Sequence, residues 1–229
     1  MLGTIVNSLT IIVGGLIGIL IKKGIPEKLN KSVMNAISLA VIYMGISGAL
    51  KGDNALIIII CMCLGAAIGE LIDIDRLLNN LGNYLESKFS KEGVNKVSIS
   101  QGFVNSSLIF CVGAMAVVGA LQSGLSGDNS TLFAKSVLDG VSSIFFAASM
   151  GIGVLASSIA VFIYQGLIAL AASSISYLLK DIVVTYMTSV GSLLIMAIGL
   201  NMLDICKIKV ANLLPAMFIP VIMGIFNII

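Results

Sequence analysis

The chain has 229 residues, 58% of them hydrophobic and only 10% charged, with a mean hydropathy of +1.11 and a formal net charge of +2. An ordinary soluble domain is excluded, because its apolar share is far lower. So small a net charge carries no nucleic-acid signal either; no nucleic-acid partner is expected, and the partner the composition implies is the lipid bilayer.

Apolar runs of about 18 or more residues, each long enough to cross roughly 30 Å of hydrocarbon as a helix, alternate with short polar joints. Helices are required because a bilayer offers backbone groups no other partner. The first run, 3–21, is followed by Lys22 and Lys23 rather than preceded by them, so it reads as a retained anchor and not as a cleaved signal. It carries Asn7 and Ser8. The second, 32–50, carries Asn35 and Ser38, and the third, 55–73, ends among the acids Glu70, Asp73 and Asp75. In the joint 74–101, Ile74, Leu77, Leu78, Leu81, Leu85 and Phe89 recur at helical spacing, as in an amphipathic helix on the inner surface or a plain packed connector.

The fourth run, 103–121, carries Asn105, Ser106 and Ser107. The fifth, 135–153, carries Asp139 and Ser142, and the sixth, 157–178, carries Gln165. Only "GIGVLASS" (151–158) divides the fifth from the sixth, so a seven-span reading stays open. The seventh run, 186–203, ends at Asn201 and Asp204, which read as anchors beside Lys207 and Lys209. The eighth, 210–228, holds Pro215 and Pro220, each of which removes an N–H and should interrupt the helix.

The fold class is therefore all-α, a polytopic membrane protein of about eight transmembrane helices. With both termini outside, ten basic residues fall on inner joints (Lys22, Lys23, Lys28, Lys31, Arg76, Lys88, Lys91, Lys96, Lys207, Lys209) and three on outer ones (Lys51, Lys135, Lys180), as the positive-inside rule requires.

The chain also repeats itself. "KSVMNAIS" (31–38) matches "KSVLDGVS" (135–142), and "GTIVNSLTIIVGG" (3–15) aligns without gaps on "GFVNSSLIFCVGA" (102–114). Three spans per copy force the second copy to face the opposite way, an arrangement common among secondary transporters. The expected organisation is a single membrane domain, with repeat one at 1–74, the connector at 75–101, an inverted repeat two at 102–179 and a terminal helix pair at 180–229.

Asp139 is the only carboxylate in spans four to six, and Asn35 takes its place in the first copy. An ionisable group in a membrane helix marks a site, unless it sits at the helix start where the dipole favours an acid. By pseudo-symmetry Asn7, Ser8, Asn35, Ser38, Asn105, Ser106, Ser107 and Ser142 could converge with Asp139 on a polar cavity suited to a hard cation or small polar solute. Gln165 would line the same pathway or link two helices.

Enzyme chemistry finds no support. There is no histidine, no Gly-x-Ser-x-Gly motif and no Cys-x-x-Cys pair, so no catalytic residue, cofactor or metal is expected. Small residues four apart (Gly14 and Gly18, Gly65 and Gly69, Ser149 and Gly153) suit close helix packing within the chain and would also permit a homo-oligomer.

The segments "GTIVNSLTIIVGGLIG", "FCVGAMAVVGALQSGLSGD", "KSVLDGVS", "YQG" and "GLNMLDICKIKVANLLPA" span nearly the whole length. Through them the chain resembles the YdfK/YqgA-like family of bacterial multipass inner-membrane proteins, a domain of unknown function. The resemblance implies location in the bacterial cytoplasmic membrane and transfers no catalytic residue. The expected function is a transporter or channel for a small ion or polar solute, working by cation- or proton-coupled alternating access. The rival is a non-transporting scaffold or regulatory protein that binds another membrane protein.

Overall fold

A computed structural model describes residues 1–22, 27–77, 80, 99–112 and 114–229. No strand occurs among them. The elements are α1 (Leu2–Lys22), α2 (Glu27–Ala49), α3 (Ala55–Ile72), α4 (Ile99–Cys111), α5 (Ala114–Leu125), α6 (Ser130–Met150), α7 (Gly153–Leu170), a single turn α8 (Ala172–Ile175), α9 (Asp181–Met202), a 3₁₀ helix (Val210–Phe218) and α10 (Ile219–Ile225). Beyond its opening residues, the amphipathic connector expected over 74–101 lies largely outside the described residues.

Among the described residues, α1, α3, α6, α7 and α9 are long and apolar enough to cross a membrane, and α4 with α5 makes a sixth such span if the bent pair is one. The apolar stretches Met34–Ala49 and Val210–Ile225 are shorter. The surface fits a lipid solvent. Leu71 is 88% exposed and Leu167 62%, while Asn7, Ser38, Ser106 and Gln165 are wholly buried. A water-soluble protein has the opposite distribution.

Backbone contacts at glycines set the helix directions. Gly3 lies against Leu132, Gly14 against Gly140 and Ser143, and Gly18 against Ile144 and Ala148, so α1 and α6 run parallel in their most extensive contact. Gly45, Gly48 and Gly52 meet Met196, Ser192 and Ser189 in descending order, so α2 and α9 are antiparallel. Gly65 faces Ala216 and Gly69 faces Asn212, which lays α3 antiparallel on the 3₁₀ helix, and Gly153 at the start of α7 touches the backbone of Ile99. Gly14 with Gly18, Gly65 with Gly69, and Gly153 thus contribute to packing inside the chain, where close approach gives the dispersion contacts that lipid cannot.

The fifth, sixth, fourth and eighth runs each take a form that has a physical cause. The fifth span begins at Ser130 rather than at Lys135, because Leu132 is fully buried against Gly3 and Gly119 and extends the apolar face by a turn. Lys135, expected on an outer joint, is therefore inside the helix. The fifth and sixth runs are separate helices. Gly151 adopts φ 79°, donates its N–H to the Ala147 carbonyl (2.9 Å), and turns the chain into α7 at Gly153.

The fourth run is bent, since the axes of α4 and α5 differ by 62°. The eighth is a nine-residue 3₁₀ helix followed by a short α-helix, in keeping with the interruption expected at its prolines. Runs of 3₁₀ longer than 3–4 residues are uncommon. Here Pro215 withholds an N–H, and Asn212 donates from Nδ2 to Glu70 Oε2 (2.6 Å) while its Oδ1 accepts from the N–H of Asp75 (2.7 Å), pinning the segment to the end of α3 and the residues just after it.

A Cβ on Gly18 would stand 2.2 Å from the Ile144 carbonyl oxygen. Gly18→Ala is expected to lower stability by about 1–3 kcal/mol, read as a reduced unfolding temperature in detergent. Leu71→Ala, on the lipid-facing surface, should leave that temperature unchanged. Equal stability of the two variants would mean that α1 and α6 do not approach this closely.

Candidate functional site

Within α6, Lys135 and Asp139 are four residues apart and so project from the same face, one above the other. They form an ion pair through Asp139 Oδ2, with the two side chains only 7% and 10% exposed. The same oxygen accepts a hydrogen bond from Asn7 Nδ2 of α1 at 3.1 Å, and that amide nitrogen also donates to Gln165 Oε1 of α7 at 3.4 Å. The result is a chain of four buried groups from three helices. Its orientation is fixed by chemistry: the carboxylate requires a donor, which turns the Asn7 nitrogen toward it, and Gln165 must then offer its oxygen.

The pair faces a cavity of about 310 Å³. Its walls come from α2 (Ser47), the end of α4 (Val112), α5 (Met115), α6 (Lys135, Asp139 and Ser142) and α9 (Ser192), and exposed Tyr43, Lys51 and Leu138 stand at its rim. A second cavity of about 250 Å³ lies between α4, α7 and the 3₁₀ helix and is lined mainly by apolar groups with Ser107 and Tyr164. Val112 belongs to both walls, so the two spaces meet at the bend between α4 and α5. Phe110 and Phe146, with ring centroids 5.9 Å apart, hold the end of α4 on α6 beside that bend.

Besides buried hydroxyls that bond another element, as Ser189 does at the Gly48 carbonyl and Ser123 at Asn129 Oδ1, two sets stand apart. Those of Ser38, Ser136, Ser143, Ser157 and Thr188 donate to a carbonyl three or four residues earlier in their own helix, which satisfies them without any partner. Thr4, Ser8, Ser106, Ser107 and Tyr164 do not: their hydroxyl oxygens, with Asn7 Oδ1 and Gln165 Nε2, are buried and lack a hydrogen-bond partner among the described residues. Such groups are normally paired, with protein or with ordered water. They lie on α1, α4 and α7, the helices around Asn7 and Gln165.

The structure therefore joins Asp139, Asn7 and Gln165 directly and brings Ser142 to the cavity wall. Ser8, Ser106 and Ser107 are among the partnerless hydroxyls. Asn105 instead lies 4.0 Å from Met150 Sδ. Asn35 is exposed on α2, and Ser38, buried where α2 meets α9 near Gly199, bonds its own helix, so neither converges with Asp139. The reason is rotational: matching sequence does not oblige α2 to present the face that α6 presents. Lys135, Thr4, Tyr164, Ser47 and Ser192 were not singled out from the sequence. Lys135 stands at ion-pair spacing from Asp139, but that spacing alone does not separate an inward lysine from one at the membrane interface.

Charges paired inside a shell of exposed leucines, on helices long enough to span a bilayer, define a multipass helical membrane protein. The chain belongs to the family described as "Protein of unknown function (DUF554)", whose model matches residues 2–225. It is 32% identical over 224 residues to the "Uncharacterized membrane protein YdfK" of Bacillus subtilis, covering 96% of this chain and 94% of that protein. To the "Uncharacterized protein YqgA" of Escherichia coli it is 31% identical over 220 residues, 95% and 94% of the two chains. No solved structure matches it.

Removing one member of a buried pair strands the other's charge. Lys135→Met and Asp139→Leu are each expected to cost about 3 kcal/mol or more, and the double variant should recover most of the loss in thermal unfolding. Additive losses would show that the two groups do not depend on each other.

Proposed function

We infer that the protein is a transporter or channel for a small ion or small polar solute in a bacterial cytoplasmic membrane, with both termini outside. The observation that carries this reading is the cavity, apolar over most of its wall, that reaches the buried Lys135–Asp139 pair. A scaffold gains nothing from charges held beside an open space, whereas a solute pathway needs groups that replace hydration.

Three further features support it. The α4–α5 bend beside the cavity resembles the discontinuous helices that transporters use at binding sites. The matching segments 3–15 and 102–114 begin in α1 and α4, which run in opposite senses: Gly15 packs on Leu155 and Asn7 on Gln165, so α1 is antiparallel to α7, whereas α4 runs parallel to α7. That is the relation expected of inverted repeats, whose rocking would expose the site alternately to each side. With Lys135 inside a helix, the proposed outer joints keep only Lys51 and Lys180 against ten basic residues inside, which sharpens the orientation argument.

The test is access from water. In a protein with Cys61, Cys63, Cys111 and Cys206 replaced by serine or alanine, Ser142→Cys in membrane vesicles should react with a membrane-impermeant methanethiosulfonate, while Leu167→Cys on the lipid-facing surface should not. An inert Ser142→Cys would sink the transport reading and leave the scaffold in its place.

A further inference from the structure

Lys135 and Asp139 are the charged groups of the cavity's inner wall, and Lys51 stands at the exposed rim. The inner site thus holds one positive and one negative charge, already matched to each other. An occupant that brings a single charge leaves that charge, or one of the protein's own, uncompensated in a poorly hydrated space, and that is where ions are most costly. A bare cation at Asp139 would also meet the Lys135 ammonium on the same oxygen.

We propose that the occupant is a small zwitterion, an amine and a carboxylate carried on a short carbon skeleton, and that the ion pair opens to receive it. The proposal rests on reading the cavity as a solute site and names the class of solute. Lys135 takes the solute's carboxylate and Asp139 its ammonium, so one ion pair is exchanged for two and the site stays neutral throughout. The spacing suits a short molecule, because residues four apart on a helix rise about 6 Å and the two charged ends sit on adjacent turns of one face. Apolar wall groups, Ile109, Phe110, Met115 and Ile195, face the same space and would take the hydrocarbon part. Asn7 keeps a hydrogen bond on Asp139 from behind, holding the carboxylate in place when Lys135 turns away. Exposed Lys51 at the rim attracts the carboxylate end first.

The experiment measures the unfolding temperature of the purified wild-type protein with glycine, alanine, β-alanine or 4-aminobutyrate. The matched singly charged compounds are propionate and ethylamine, at fixed ionic strength and at pH 5.5 and 7.5. A ligand of the folded state raises that temperature in a saturable way. The expected result is stabilisation by at least one zwitterion, with half-saturation at a concentration at least tenfold lower than for propionate or ethylamine. Preference should then follow the charge that remains: Asp139→Asn should turn it toward propionate, Lys135→Gln toward ethylamine, and the doubly neutral variant should respond to none.

Stabilisation by propionate that grows at the lower pH would overturn the proposal in favour of an anion taken up with a proton. Stabilisation of the wild type by ethylamine or sodium at concentrations as low as any zwitterion requires would overturn it in favour of a cation site. If no zwitterion acts although Ser142→Cys is labelled from water, the solute class is wrong and the transport reading stands. If Ser142→Cys is also inert, both fall.

Discussion

Taking an ammonium and a carboxylate out of water costs several kcal/mol for each ion, and their mutual attraction offsets that only when geometry and hydrogen bonding are good. The arrangement around α6 answers this constraint. Lys135 neutralises Asp139 from the same helix face, and Asn7 of α1 and Gln165 of α7 extend the bonding into two neighbouring helices. The parallel packing of α1 on α6 through Gly14 and Gly18 keeps Asn7 within reach of the carboxylate. A bulkier residue at either glycine would separate the backbones and leave the Asn7 amide unsatisfied, with Asp139 held by Lys135 alone.

Glycine contacts elsewhere divide the molecule between fixed and open parts. The α2–α9 and α3–3₁₀ interfaces bring backbones to the limit of approach, and hydroxyls of α2 and α9 such as Ser38, Thr188 and Ser189 are hydrogen-bonded, the last across to the Gly48 carbonyl. Around α4 and α7 the balance differs. Hydroxyls lack partners, the fourth run is bent, and two cavities share Val112 as a common wall. Stability and polarity are thus placed in different regions, with the close-packed helix pairs framing a polar interior.

The sequence makes the helices legible because a bilayer leaves the backbone no alternative, and a run of apolar residues is hard to mistake. Asp139 was legible for the same reason, as a charge where charge is costly. Lys135 was not, because a lysine at the edge of an apolar run looks the same whether it lies at the interface or turns inward to a partner one helical turn away. Asn7 and Gln165 were legible as polar groups in apolar runs, but not as partners, since 132 residues separate Asn7 from Asp139 and 158 separate it from Gln165. Asn35 misled because similarity between repeats fixes order along the chain and says nothing of how a helix is rotated. The bend in the fourth run left no mark either: no proline interrupts 99–125, and its composition reads as continuous.

Placing both charges on α6 also bears on how the chain enters a membrane during synthesis. Helices are handed to the bilayer in order, and a segment with a lone acid or base would wait for a later helix to cancel its charge. Because Lys135 and Asp139 face each other within one turn, α6 carries its own counter-ion and can partition into lipid before α7 and Gln165 have left the ribosome. By then α1, with Asn7, is already in place, so the site can be assembled progressively without an unpaired charge standing exposed to hydrocarbon.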